Sequence, residues 1–268
     1  MSTGELRYDQ IIELAHKTDS GLGERANIGI IVLSSDQTLE YEFRTLLNFE
    51  GVTLYHSRIP NEMEITKSSL AKMEADLPVA ASLLPESFNF SAIGYGCTSG
   101  ATIIGEDRVE KAIQSVHSET QTTNPLTACK AALRALGLKR VVLLTPYHPA
   151  ITKEMRDNLL ESGFEIRVTG SFFETDDFVV GRISSESILK SIEKIGASTE
   201  CDGVFVSCTN LRVASVIEEA EARLGKPVTS SNHALAWHLL RLSGIKDSPE
   251  NFGSLFQKQL RSPLQTFP

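Results

Sequence analysis

The chain carries one pattern written twice. "IIVLSSDQT" (residues 30–38) lies over "VVLLTPYHP" (141–149), and "IGYGCTSG" (93–100) lies over "VFVSCTNL" (204–211). The spacing is constant: Cys97 falls on Cys208 and Asp36 on Tyr147, and 208 − 97 and 147 − 36 are both 111. Between these anchors both halves read strand, helix, strand, helix, strand. Identity is low, so the repeat is carried by periodicity rather than by shared residues. A chain repeated in this way is restricted to folds in which each copy builds a similar unit.

The units read as α/β. "IGIIVL" (28–33) and "KRVVLLTP" (139–146) are apolar runs of the kind found in parallel strands covered on both faces. Further strands are predicted at 52–59, 90–96, 164–173 and 201–208, with a short strand or turn at 226–231. Helical spacing is predicted over 37–49, 65–84 (with Pro78 breaking or restarting it), 101–117, 150–163, 186–196, 213–225 and 233–244. A short amphipathic piece is expected around Ile11–Leu14. Strands alternating with helices of this length predict βαβ units and parallel sheets. The expected fold is two similar parallel-sheet α/β lobes related by a pseudo-twofold axis, with the active site between them. The first lobe is expected over 27–124 and the second over 125–230, with 1–26 peripheral.

Composition removes several function classes. With 41% hydrophobic and 22% charged residues, the 268-residue chain has the make-up of a soluble globular protein. A net charge of −8 argues against a nucleic-acid or anionic-membrane partner. No apolar run approaches the roughly 20 residues that span a bilayer. "MSTGELRYDQ" does not resemble a signal peptide, so a cytoplasmic location is expected. The four cysteines are then thiols, and without a CxxC or a His/Cys cluster no structural zinc is expected.

Cys97 and Cys208 stand at the C-terminal ends of strands, where open α/β sheets place their ligand crevices. One such thiol reads as a small buried filler; two at equivalent positions read as a pair flanking one cavity. A thiol has a reference pKa near 8.5, and a helix N-terminus lowers it toward the thiolate. Thr98, Ser99, Thr209 and Asn210 follow the cysteines, and N–H groups at such a terminus hold carboxylates or stabilise an enediolate. A carbon between two thiols can lose a proton on one face and gain one on the other. Cys129, inside "LTACKAALRALG", and Cys201 read as structural. "GYGCTSG" spaces its glycines G-x-G-x-x-x-G, one residue too long for a dinucleotide fingerprint. His148, His233 and His238 read as locally bonded or core residues, and Glu40 and Glu42 as a solvated helix face.

At "GYGCTSGA", "LLTPY" and "VSCTNLR" the sequence resembles the aspartate/glutamate racemase superfamily, in the branch of maleate isomerase and arylmalonate decarboxylase. Within it "VLSSDQTLEYEFR" is most similar to the ectoine-utilisation protein A group. The resemblance covers roughly residues 27–243. It implies two four-stranded lobes, a C-terminal segment (231–268) returning to the first lobe, and no cofactor or metal. It also implies catalysis by Cys97 and Cys208, with Thr98, Ser99 and Tyr147 binding a carboxylate or enediolate, helped near Thr209.

Two departures bear on the substrate. Where maleate isomerases carry Asn, this chain carries Asp36, and Asp177 in "DDFVVG". Two carboxylates repel a dicarboxylate and suit a substrate with an ammonium group. Asp36 is also placed to cap the helix of "QTLEYEF", and Asp177 also reads as a plain loop acid. Arylmalonate decarboxylases lack the first cysteine.

The expected activity is therefore a cofactor-independent isomerase or racemase of a small carboxylate, for which the resemblance offers an amino acid linked to ectoine breakdown. The alternatives are a maleate cis–trans isomerase, an arylmalonate-type decarboxylase, and a non-catalytic two-lobed binding protein. A homodimer is left open.

Overall fold

The computed structural model describes residues 11–197 and 200–260. The first half contains β1 (Ala26–Leu33), α1 (Leu39–Leu46), β2 (Val52–Ile59), α2 (Lys67–Ser82), β3 (Phe90–Gly96), α3 (Thr98–Ile104), α4 (Glu106–Gln114) and β4 (Gln121–Thr123). Next come α5 (Pro125–Leu136), β5 (Arg140–Tyr147), α6 (Pro149–Glu161), β6 (Glu165–Glu174), α7 (Asp177–Val180), α8 (Ser185–Ala197), β7 (Gly203–Val206), α9 (Ile217–Leu224), β8 (Val228–Ser230) and α10 (Ser231–Leu242). The strands form two four-stranded sheets, ordered β2-β1-β3-β4 and β6-β5-β7-β8, with every ladder parallel. The two orders are the same, so the repeat in the sequence is a repeat of topology. The fold is α/β with two lobes.

The central strands β1, β3, β5 and β7 are buried along nearly their whole length, as apolar runs with helices on both faces require. One core cluster runs from Ile31 and Leu77 in the first lobe through Val142 and Phe205 in the second. A second joins Ile28, Ile30 and Phe43 to Trp237 and Leu239 of α10. α10 packs against α1, β3, β4 and α5. The weakly patterned tail beyond it is tied down by its carbonyls: Lys258 accepts from Trp237 Nε1 at 3.0 Å, and Phe252 is 2.7 Å from His233 Nε2.

Several local expectations need correction. The residues around Ile11–Leu14 form no helix, and Ile11 and Leu14 are exposed. Pro78 does not interrupt α2, whose Leu70, Met73, Leu77 and Ala81 are buried; packing there outweighs one lost backbone hydrogen bond. The helix expected over 101–117 is split at Gly105, whose φ of +99° suits glycine alone. The helix expected from 213 starts at Ile217, after a single 3-10 turn at Ala214–Val216. β4 and α7, of three and four residues, are too short for a periodic signal. Glu42 is not on a solvated face. It is 6% exposed and its Oε1 accepts from Val213 and Ala214 N–H at 2.8 Å, tying α1 to the second lobe.

Candidate active site

Cys97 is the N-cap of α3 and Cys208 follows the last residues of β7, so both thiols stand at the C-terminal edges of their sheets. Both are 3% exposed and line one small cavity with Ser99, Tyr147, Asp177 and Thr209. Loop residues Asn61, Glu62, Glu64 and Ile65, with Met73 of α2, close it from the side of the first lobe. Its volume is about 20 Å³, room for roughly one water. The closure is a seam between lobes: Ile65 N–H donates to Thr175 O at 2.9 Å, Asp177 N–H donates to Met63 O at 3.0 Å, and Glu64 pairs with Asp176.

Each sulfur accepts a backbone hydrogen bond. Gly100 N–H reaches Cys97 Sγ at 3.2 Å and Asn210 N–H reaches Cys208 Sγ at 3.3 Å. Ser99 Oγ lies 3.6 Å from Cys97 Sγ. Gly100 is required by close approach: a Cβ there would collide with the Tyr95 hydroxyl and sit 2.9 Å from Cys97 Sγ. Tyr95 is fully buried beside this turn and its hydroxyl donates to Met73 Sδ at 3.5 Å, while Tyr147 lines the cavity with Cys208. Tyr95 was not singled out from the sequence, although it lies two residues before the thiol on the same face of a strand.

The expectation that helix termini favour the thiolates is reversed in this closed state. Burial pushes the Cys97 thiol up to about 11, against weaker help from Ser99 and the Gly100 N–H, with Asp177 adding to the rise. Cys208 is pushed well above the thiol range by burial and then by Asp177 and Asp36. Cys208 also lacks a helix behind it, since a turn and the 3-10 segment intervene. Desolvation and two nearby carboxylates outweigh a partial dipole charge.

Those two carboxylates differ in placement. Asp177 lines the cavity, and its Oδ2 accepts a short hydrogen bond from Ser35 Oγ. Burial raises its pKa. Asp36 lies behind the lining. Its Oδ1 accepts from Thr38 N–H at 2.8 Å and Leu39 N–H at 2.7 Å, so it caps α1. Its Oδ2 is buried without a hydrogen-bond partner. Burial raises the Asp36 carboxyl to about 6, and Asp177 contributes to the rise.

Three predicted binding side chains are spent elsewhere. Thr98 Oγ1 shares a 2.7 Å hydrogen bond with Ser231 Oγ. Asn210 Oδ1 accepts from Gln37 N–H at 2.9 Å, and its Nδ2 donates to Asp177 O at 2.8 Å. Thr209 touches the cavity, but its hydroxyl donates to Gly96 O at 3.2 Å. These residues fasten the lobes together. What they leave for a ligand is backbone: the N–H groups of Thr98 and Ser99, in the first turn of α3, have no intrahelical acceptor. Among the described residues no group of three His, Cys, Asp or Glu side chains is placed to hold a metal ion, and no helix is long and apolar enough to cross a membrane.

The sequence profile of the arylmalonate decarboxylase family matches residues 98–256. The chain belongs to that family. Among characterised relatives, it is 24% identical over 247 residues to the maleate isomerase of Geobacillus stearothermophilus, covering 87% of this chain and 98% of that one. It is 32% identical over 139 residues to the arylmalonate decarboxylase of Bordetella bronchiseptica, covering 51% and 58%. In three dimensions it resembles the Nocardia farcinica maleate cis–trans isomerase, in the structure of a cysteine-to-serine mutant with a covalently bound succinylcysteine intermediate. The TM-score is 0.80 at 24% identity, over 87% of this chain and 98% of that one. The likeness to these maleate isomerases thus extends over both lobes of this chain.

Proposed function

We propose that the chain is a cofactor-independent isomerase of a small carboxylate, with Cys97 and Cys208 handling the reacting carbon from its two sides. The observation that carries this reading is the pairing itself: two buried thiols at equivalent strand ends of two repeated lobes, lining one closed cavity. The sequence match to a maleate isomerase covers 87% of the chain against 51% for the arylmalonate decarboxylase, which supports an isomerase over a decarboxylase. Tyr147 and Ser99 are assigned to the substrate carboxylate together with the first-turn N–H groups of α3, where charge developing on an enediolate would also be held.

The substrate is assigned an ammonium group. The buried wall of the cavity brings the carboxylate of Asp177 but no Lys, Arg or His, and Asp36 holds an unpartnered oxygen behind it; Glu62 and Glu64 lie at the exposed rim, where Glu62 pairs with Lys72 Nζ at 2.6 Å. Such walls oppose a second substrate carboxylate and favour a cation. This supports an amino acid or related amine, and with "VLSSDQTLEYEFR" it supports a place in the ectoine-utilisation group. In this reading one thiol removes the α proton and the other returns one. A second reading, maleate cis–trans isomerisation by addition of the Cys97 thiolate to an alkene, is favoured by the length of the maleate isomerase matches.

Turnover in D2O separates the two. Proton transfer between thiols places deuterium at the α carbon of the product, read by mass spectrometry. Turned-over product without deuterium, with a thioether trapped on Cys97, would refute the first reading and establish the second.

A further inference from the structure

Cys208 holds an unusual backbone. Its φ is +139°, a conformation that a residue with a Cβ rarely adopts. Such a conformation persists only where its surroundings over-determine it, and it is common at functional sites. The restraint comes from the first turn of α10, 23 residues downstream. Ser231 Oγ accepts the Cys208 N–H at 2.9 Å, and Asn232 Nδ2 donates to the next carbonyl, Thr209 O, at 2.7 Å.

The same Ser231 oxygen is 2.7 Å from Thr98 Oγ1, on the residue that follows Cys97. Ser231 is wholly buried and Thr98 is 1% exposed, so water does not replace either bond. One hydroxyl can accept from the amide and donate to Thr98. It therefore joins the two cysteine-bearing turns through a single atom. The second fastening, Thr209 Oγ1 to Gly96 O at 3.2 Å, crosses in the opposite direction, so Ser231 is the partner that holds the Cys208 N–H itself.

We infer that Ser231 is a positioning residue for the two-thiol reaction, holding Cys208 in its strained conformation and fixing its sulfur relative to Cys97 through Thr98. The inference rests on the two-thiol reading of the site. Ser231 touches neither the cavity nor the sulfurs, so it acts through the Cys208 backbone and not on the substrate. Released from Ser231, Cys208 can relax to an ordinary φ, and its sulfur swings. A misplacement of about 1 Å in a reacting group costs on the order of 100-fold in rate.

The test uses full-length Ser231→Ala, Thr98→Val and Ser231→Thr, each checked for a cooperative thermal transition. Two readouts are taken: kcat and KM for the isomerisation, and the iodoacetamide alkylation rate of each cysteine by mass spectrometry. Ser231→Ala should lower kcat about tenfold to 100-fold, with KM within about threefold of the parent. It should alkylate faster at Cys208, with Cys97 and Cys129 unchanged. Ser231→Thr should recover most of the rate, because it keeps the oxygen.

If Ser231→Ala does not fold, Thr98→Val decides, since it cuts the same bridge from the other side with little change of shape. It should show the same pattern at smaller amplitude. Folded variants that keep parental kcat and parental Cys208 alkylation would overturn the inference. Should the parent itself turn over no carboxylate, the proposed function fails, while the alkylation rates still decide whether Ser231 holds Cys208.

Discussion

Replacing Asp36 with Asn separates a helix cap from a charge kept for a ligand. Both roles are visible in the structure. Oδ1 takes the Thr38 and Leu39 N–H groups, and Oδ2 is buried without a partner. Asn keeps a cap oxygen, and caps of either kind are worth about 1 kcal/mol relative to Ala. What Asn removes is ionisation. The carboxyl goes from 3.8 to about 6 on folding, a difference of about two pKa units. At ~1.4 kcal/mol per unit this is about 3 kcal/mol against the folded state when Asp36 is charged.

The sign follows from linkage. A carboxyl with a raised folded pKa keeps its proton longer in the native protein than in the unfolded chain. Its contribution to stability is fully present below about 3.8 and is lost as pH rises through about 6. Asp36→Asn should therefore gain most above pH 7 and almost nothing near pH 4. The buried Asn amide would take the place of Oδ2, which has no partner in the protein, and burying it unpaired costs about 1–3 kcal/mol. The net gain expected at pH 8 is about 0–2 kcal/mol, and near pH 4, where only the amide cost remains, the variant should be the less stable by about 1–3 kcal/mol. Urea titrations of parent and variant across pH 4–8 read the difference; Glu42, whose carboxyl is also raised, to about 7, is present in both and loses only the small contribution Asp36 makes to its rise. Calorimetry at pH 7.5 on the same pair should show weaker binding of amino-acid ligands and stronger binding of maleate-like dicarboxylates. A variant less stable by the same amount at every pH, with unchanged ligand preference, would reduce Asp36 to a cap and remove the main support for an amine substrate.

The remaining predictions concern the thiols. Cys97→Ser and Cys208→Ser should each abolish turnover and leave the thermal transition within a few degrees of the parent; Cys129→Ser and Cys201→Ser should keep near-parental kcat. In the free protein, alkylation of Cys97 by iodoacetamide should be slow at pH 7 and rise about tenfold per pH unit toward its pKa of about 11. A rate already at its plateau by pH 8 would show that the site is not in this closed, dehydrated form in solution.

The sequence made legible whatever has a short period or a repeat. Apolar runs gave the central strands, and the equivalence of Cys97 with Cys208 placed both at the edge of one cavity. What it hid is non-local. Nothing near Glu42 in the chain distinguishes it from Glu40, yet its partners Val213, Ala214 and Asn232 lie some 170 to 190 residues away and bury it. Thr98 and Asn210 carry the residue types of a binding site, and no local pattern says that their side chains are used between lobes. Ser231 sits in the plain stretch "TSSNH" and matters only because α10 returns beneath both cysteines. The thiol pKa values failed for a similar reason. The helix terminus is local and visible, whereas the dehydration that overrides it is made by Ile65, Met73 and other distant residues closing over the cavity.

The raised thiols and the buried acids are one electrostatic system. Burial pushes both sulfurs up first, Asp177 adds to the rise at both, and Asp36 adds to it at Cys208. A cation seated among these carboxylates would oppose their part of it, and on the proposed reading the substrate ammonium is such a cation. The unpartnered Asp36 oxygen would then gain a partner as the proton leaves a thiol. A dicarboxylate would do the reverse, adding negative charge where carboxylates are already unfavourable. The same arrangement that selects the substrate would therefore also remove the carboxylates' share of the rise at the thiols. The cavity of about 20 Å³ is bounded by the Ile65–Thr175 and Asp177–Met63 seam. Because the Asp177 N–H is part of that seam and its carboxylate faces the sulfurs, closure and thiol activation meet at one residue.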